Sequence, residues 1–238
     1  GEKYTNGLMF LTSRGDVEID GVTETRNGSI TLKNLVIDGQ DVAATSNFVE
    51  ASNNGVFTLE DVVFANCTTS HNQGLVSMKN GGRVNATNVT MYNVNIMEGR
   101  GAIFCGTDRL TVSGSTSVSV FCEKALTFNA ADMAEGAVVN IFVDAARDMT
   151  EAALIVKGEN LSVSNFNSAM NNYNLRAAEA GIEFVYEEGY TSGVEGVAAE
   201  AENAPVEWYN LQGVRVAEPA NGLFIRRQGN KVEKVVVK

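Results

Sequence analysis

Few side chains in this 238-residue sequence could do chemistry on their own. The single histidine, His71, lies in the polar stretch Thr68-Thr-Ser-His-Asn-Gln-Gly74. A general base needs an orienting partner, and a nucleophilic site built on histidine needs a serine or cysteine within reach. Cys67 is near it only along the chain, so a solvated loop position is expected for His71. The three cysteines, Cys67, Cys105 and Cys122, are odd in number and lack metal-ligand spacing. Buried free thiols are expected, with no metal site and no cofactor. Hydrolytic or eliminative chemistry by acids takes several carboxylates on one face, either paired or holding Ca²⁺. Glu60 stands near Lys33 in the repeat described below, and no acid cluster forms around either. No residue is assigned a catalytic role. The sequons at Asn66, Asn85 and Asn88 are of the kind a chain rich in Asn and Thr produces by chance.

The elements that position these residues follow a repeat. Gly7, Asn34, Asp61, Asn88, Gly114, Asn140 and Asn165 fall 25–27 residues apart with apolar residues on both sides. The words around them read Ile30-Thr-Leu-Lys-Asn34-Leu-Val-Ile37, Phe57-Thr-Leu-Glu-Asp61-Val-Val-Phe64 and Val84-Asn-Ala-Thr-Asn88-Val-Thr-Met91. Apolar residues alternate with period two before and after the marked residue, but the phase slips by one across it. That slip predicts a bend with both apolar sets facing one interior. A one-residue bend calls for positive φ, which Gly adopts freely and Asn or Asp tolerate. At Gly114 the apolar residues resume only at Val118, which reads as a one-residue insertion. A second strand precedes each word (Phe48–Ala51, Leu75–Met78, Ala102–Cys105), separated from it by turn dipeptides such as Asn54-Gly55 and Gly81-Gly82, with Asn27-Gly28 one coil earlier. A fixed period in the twenties with strand content predicts a solenoid of stacked coils. A β-sandwich or barrel is the alternative.

This pattern resembles the right-handed parallel β-helix of the pectin-lyase-like superfamily, over roughly residues 7–186. The expected fold is therefore all-β, a right-handed parallel β-helix of about seven coils over residues 1–190. The resemblance implies corner Asn side chains stacked as a ladder, and an outer face available to ligands. Outward positions after the bend read Val36, Val63, Thr90 and Phe142. With Tyr92 nearby, Val36, Val63, Thr90 and Tyr92 form the candidate ligand-binding strip, a stacking platform for carbohydrate.

A linker is expected over 191–204, rich in Gly, Ala and Glu, and a distinct β segment over 205–238. The segment runs through Trp208-Tyr-Asn-Leu-Gln-Gly-Val-Arg-Val216, then Gly222-Leu-Phe-Ile-Arg-Arg227, and ends Lys234-Val-Val-Val-Lys238. It resembles the C-terminal tail of many Bacteroidetes surface and secreted proteins, which is linked to sorting through type IX secretion. A competing reading is that these strands cap the solenoid. The resemblance implies an exported protein at the cell surface or outside it, with a signal segment missing from a chain that opens Gly-Glu-Lys.

The net charge of −11 opposes nucleic-acid binding, and no apolar run reaches the length of a transmembrane span. Together these features predict a non-catalytic surface β-helix for adhesion or glycan binding. Its partner would be a host or dietary glycan or a surface protein, and the oligomeric state is left open. The alternative is a polysaccharide lyase or glycoside hydrolase, and a third is a purely structural stalk.

Overall fold

A computed structural model describes residues 10–144, 151–192, 206–209, 215–216, 222–228 and 231–237. The chain divides into two compact units, Gly1–Tyr190 and Thr191–Lys238.

The first unit is a parallel β-solenoid. A complete coil is well shown by residues 49–75. Strand Val49–Ala51 lies on a back sheet, and a tight turn leads into Val56–Ala65 on a nine-stranded front sheet. A second corner at Asn66 leads to Thr68–Thr69 on a short third sheet, and a loop returns to the back sheet at Val76–Met78. Equivalent strands of neighbouring coils pair in parallel. Thr31, Thr58, Asn85 and Thr111 are in register on the front sheet, as are Glu50 and Ser77 on the back. Parallel ladders between like segments are incompatible with the antiparallel sandwich alternative.

The core lies inside the coil, and the phase slip is visible in burial. Phe57 and Leu59 before the bend, and Val62 and Phe64 after it, are all fully buried, while Asp61 between them is exposed. Asn34, Asp61, Asn88 and Gly114 adopt φ of 55°, 55°, 54° and 61° and align along the stack. Asn88 Nδ2 donates to Asp61 Oδ1 at 2.9 Å. Asn88 Oδ1 accepts the Ser115 amide at 2.9 Å. Gly114 has no side chain because a Cβ there would sit 2.2 Å from Asn88 Oδ1. A second ladder stands at the next corner, where Asn66 and Asn93 have φ of 50° and 49° and Asn93 Nδ2 donates to Asn66 Oδ1 at 2.8 Å.

Beyond Gly114 the expected repeat fails. There are about five turns, not seven. Gly7 lies outside the described residues. Asn140 and Asn165 are not corners of this column. Asn140 lies within the back-sheet strand Val139–Val143 and accepts a hydrogen bond from Asn167 Nδ2 at 3.2 Å. Asn165 is buried at the end of a 3₁₀ turn, donating to the carbonyls of Ala134 and Ala137. The physical reason is that the coil loses a side. The third sheet ends with Asn95–Ile96, and the chain passes from Gly114 straight to the back-sheet strand Val118–Cys122. The one-residue insertion expected after Gly114 is present, since Ser117, three residues past Gly114, bridges Thr90, two residues past Asn88. Thr111 pairs with Asn129, a step of 18, and the bend at that level is made by Asp132 with φ 48°.

The first coil departs too. In place of a tight turn near Asn27-Gly28, a hairpin of Arg14–Ile19 and Val22–Asn27 is extruded, all of it exposed. Asp20 and Gly21, with φ of 51° and 76°, make the two-residue turn favoured between twisted antiparallel strands. At the far end, strand Ala153–Lys157 pairs antiparallel with Gly181–Tyr186, which pairs antiparallel with Tyr173–Ala178. The second unit is a separate antiparallel sheet of Val206–Tyr209, Arg215–Val216, Gly222–Gln228 and Lys231–Val237.

Candidate functional site

The outer surface of the front sheet carries most of the residues singled out from the sequence. Val36, Val63 and Thr90 are paired in register on three successive coils. Val36 is 63% exposed, and Tyr92, two residues beyond Thr90, is 67% exposed. Phe142 does not belong to this strip. It lies on the back sheet, paired with Phe121, which is itself paired with Phe104. Phe104 and Phe121 stack at 5.9 Å between centroids, and the Arg100 guanidinium covers Phe121 at 4.3 Å.

Before the bend, the outer surface is a grid of short polar side chains. One column reads Thr31, Thr58, Asn85, Thr111 and Asn129. The neighbouring column begins Lys33, Glu60, Thr87, Ser113. Lys33 Nζ and Glu60 Oε1 meet at 2.6 Å, and this hydrogen bond raises the lysine pKa above its ordinary value. Thr87 and Ser113 hydroxyls are 2.8 Å apart. Near the second ladder, Asp38 accepts from the Gln40 amide at 2.8 Å and from Asn66 Nδ2 at 3.1 Å, which holds its carboxyl below the usual range.

At the turn end of the same sheet lies a cleft of about 630 Å³, lined by Arg14, Thr25 and Asn27 of the hairpin and by Asn54, Val56, Gly81, Arg83 and Arg109 of the coils. Each coil reaches the cleft just after its tight turn. The turns pack closely: a Cβ on Gly55 would lie 2.5 Å from Thr12 Oγ1, and one on Gly82 would lie 2.1 Å from the Ala51 carbonyl oxygen. Thr12 Oγ1 is buried without a hydrogen-bond partner at this place. Reading the outward columns two residues further toward the turn would have exposed the series Ser29, Val56, Arg83, Arg109 in the sequence. Arg14 joins it only through the hairpin, which the sequence analysis missed although Asp20-Gly21 signals it.

The remaining chemical candidates stay apart. His71 Nδ1 accepts the Gln73 amide at 3.3 Å within its own loop. Cys67 is buried with its thiol directed at the Ala65 and Ile37 carbonyls, and burial raises its pKa. Cys105 and Cys122 are in register inside the coil, free and buried, and burial pushes the Cys105 thiol well above 9.0. Among the described residues no group of three or more His, Cys, Asp or Glu could hold a metal ion, and no helix is long and apolar enough to cross a membrane.

No protein-family model matches this chain, and neither the curated proteins nor the solved structures yield a match.

Proposed function

We propose that this protein is an exported or cell-surface β-helix that binds glycan without cleaving it. The observation that carries this reading is the register-locked outer face of the front sheet. Hydroxyl and amide side chains recur at each coil, about 4.8 Å apart, on strands held rigid by a packed interior. Exposed Val36 and Tyr92 border them. A surface that repeats along one axis offers the same donors and acceptors to successive units of a repeating polymer. Apolar edges beside polar groups suit sugar rings, whose faces are apolar and whose rims are hydroxylated.

The resemblance of the repeat to pectin-lyase-like β-helices favours a carbohydrate ligand, and the tail resemblance favours export by type IX secretion. The tail strands belong to a compact unit of their own, Thr191–Lys238, as a separable sorting signal would. A glycan array paired with a reducing-end release assay tests the function. Retention of one glycan class, weakened by Thr58→Ala with Tyr92→Ala, is the expected result. Release of reducing ends from any polysaccharide would overturn it in favour of a lyase or hydrolase. Removing residues 205–238 should leave the protein inside cells that otherwise display it, read by surface protease digestion.

A further inference from the structure

Arg14, Arg83 and Arg109 line one cleft in a chain of net charge −11. None of the three is ion-paired to a carboxylate among the described residues. Arg83 and Arg109 directly precede the matched pair Val84 and Leu110 on adjacent parallel strands, so they occupy equivalent places about 4.8 Å apart. Like charges side by side across a ladder destabilise it. Arg109 does not swing away from this neighbour. Its Nη1 donates to the Gly81 carbonyl at 3.1 Å, which holds the guanidinium over the coil that carries Arg83. The third arginine comes from a different element. Arg14 begins the extruded hairpin, opposite Asn27, and the Arg14 amide is tied to the Asn53 carbonyl at 2.9 Å. The hairpin thus brings a third positive charge to a place where two already oppose each other.

We propose that this cleft binds a tetrahedral oxyanion, the sulfate or phosphate ester of a glycan chain. Each guanidinium carries five donors in a planar fork. A carboxylate offers two oxygens in one plane and is satisfied by a single fork. An ester of sulfate or phosphate offers three terminal oxygens pointing in three directions, matching cations delivered by the hairpin and by two successive coils. Asn27 and Asn54 add amide donors at the rim. The volume is that of a ligand pocket and leaves room for the sugar bearing the ester. The anion relieves the repulsion between Arg83 and Arg109. The glycan part of this proposal rests on the function proposed above; the oxyanion part does not.

The test uses the whole chain, its Arg83→Ala/Arg109→Ala variant and an Arg14→Ala variant. The probes are sodium sulfate, sodium phosphate, dextran sulfate, neutral dextran, polygalacturonate and single-stranded DNA. All three arginines are exposed, so the variants fold, and thermal unfolding without anion confirms it. The double variant is expected to melt no lower than the parent. Sulfate or phosphate should raise the parent's midpoint more than matched sodium chloride does, and this excess should vanish in the double variant. Dextran sulfate should bind the parent, and the double variant about tenfold or more weakly, as expected for losing hydrogen bonds to a charged group. Arg14→Ala should fall between. Equal dextran sulfate binding by parent and double variant would overturn the proposal. So would polygalacturonate or DNA binding as tight as dextran sulfate. Loss of all neutral-glycan binding while the arginine-dependent sulfate response persists would instead refute the reading of the outer face and leave the oxyanion site standing.

Discussion

Replacing Asn88 separates two contributions that the corner ladder combines. The residue sits at φ 54°, donates to Asp61 Oδ1 and accepts from the Ser115 amide and hydroxyl. Asn88→Gly removes the side-chain bonds but keeps a backbone at ease with that φ. Net hydrogen bonds are worth about 0.5–1.5 kcal/mol each, and Asp61 and Ser115 are exposed enough for water to replace part of the loss. The glycine variant should therefore lose roughly 1 kcal/mol. Asn88→Val loses the same bonds and also forces a β-branched residue into the left-handed region, at a further cost of about 1–2 kcal/mol. The valine variant should then fall about 2–3 kcal/mol below the parent. Urea unfolding followed by circular dichroism measures both, with an unchanged slope showing that only stability has moved. If valine and glycine at this position prove equally stable, the corner does not select for positive φ and the reasoning about Asn34 and Asp61 falls with it.

Other outcomes follow from the same geometry. Gly114→Ala should destabilise by about 1–3 kcal/mol in urea unfolding, because its φ is 61° and its Cβ would meet Asn88 Oδ1 at 2.2 Å. Asp38 should titrate below 3.8 by NMR, since the Gln40 amide and Asn66 Nδ2 favour its ionised form. The stability this confers is complete above that value and is lost as pH falls through the lowered one. Asn66→Ala should raise the Asp38 midpoint and bring acid unfolding on at a higher pH. A thiol reagent at pH 8 should label none of the three cysteines in the folded protein and all three in urea, because each is buried. Rapid labelling of Cys105 without denaturant would contradict its place inside the coil.

The solenoid was legible in the sequence because its physics is local and repeated. The phase slip at Asn34, Asp61 and Asn88 is a backbone requirement that a few residue types satisfy, and identical coils restate it. The loss of the third sheet was not legible. Nothing about Val118–Cys122 as a string distinguishes the next front-sheet word from a back-sheet strand, since both alternate with period two. Asn140 and Asn165 kept the expected spacing by coincidence, for one serves a strand surface and the other a buried turn. Val36, Val63 and Thr90 share one outward column, as their spacing predicted, because all three lie within the full-length coils. The arginine cleft was missed for a different reason. Arg83 and Arg109 share a column that the sequence does expose two residues nearer the turn, but it becomes one wall of a cleft only where the inserted hairpin faces it.

The front sheet finishes with one reversed strand, Gly181–Tyr186, and an edge strand, Tyr173–Ala178, that runs with the coils again. A stack of parallel coils is otherwise an invitation to continue, because its last rung presents the amides and carbonyls that the next rung would use. Here the front sheet continues two strands past Phe166–Ser168, the last strand of the back sheet, so the end is stepped. A second copy's first coil, which needs both sheets at one level, finds only one of them there, and that mismatch of levels opposes end-to-end growth into a fibre.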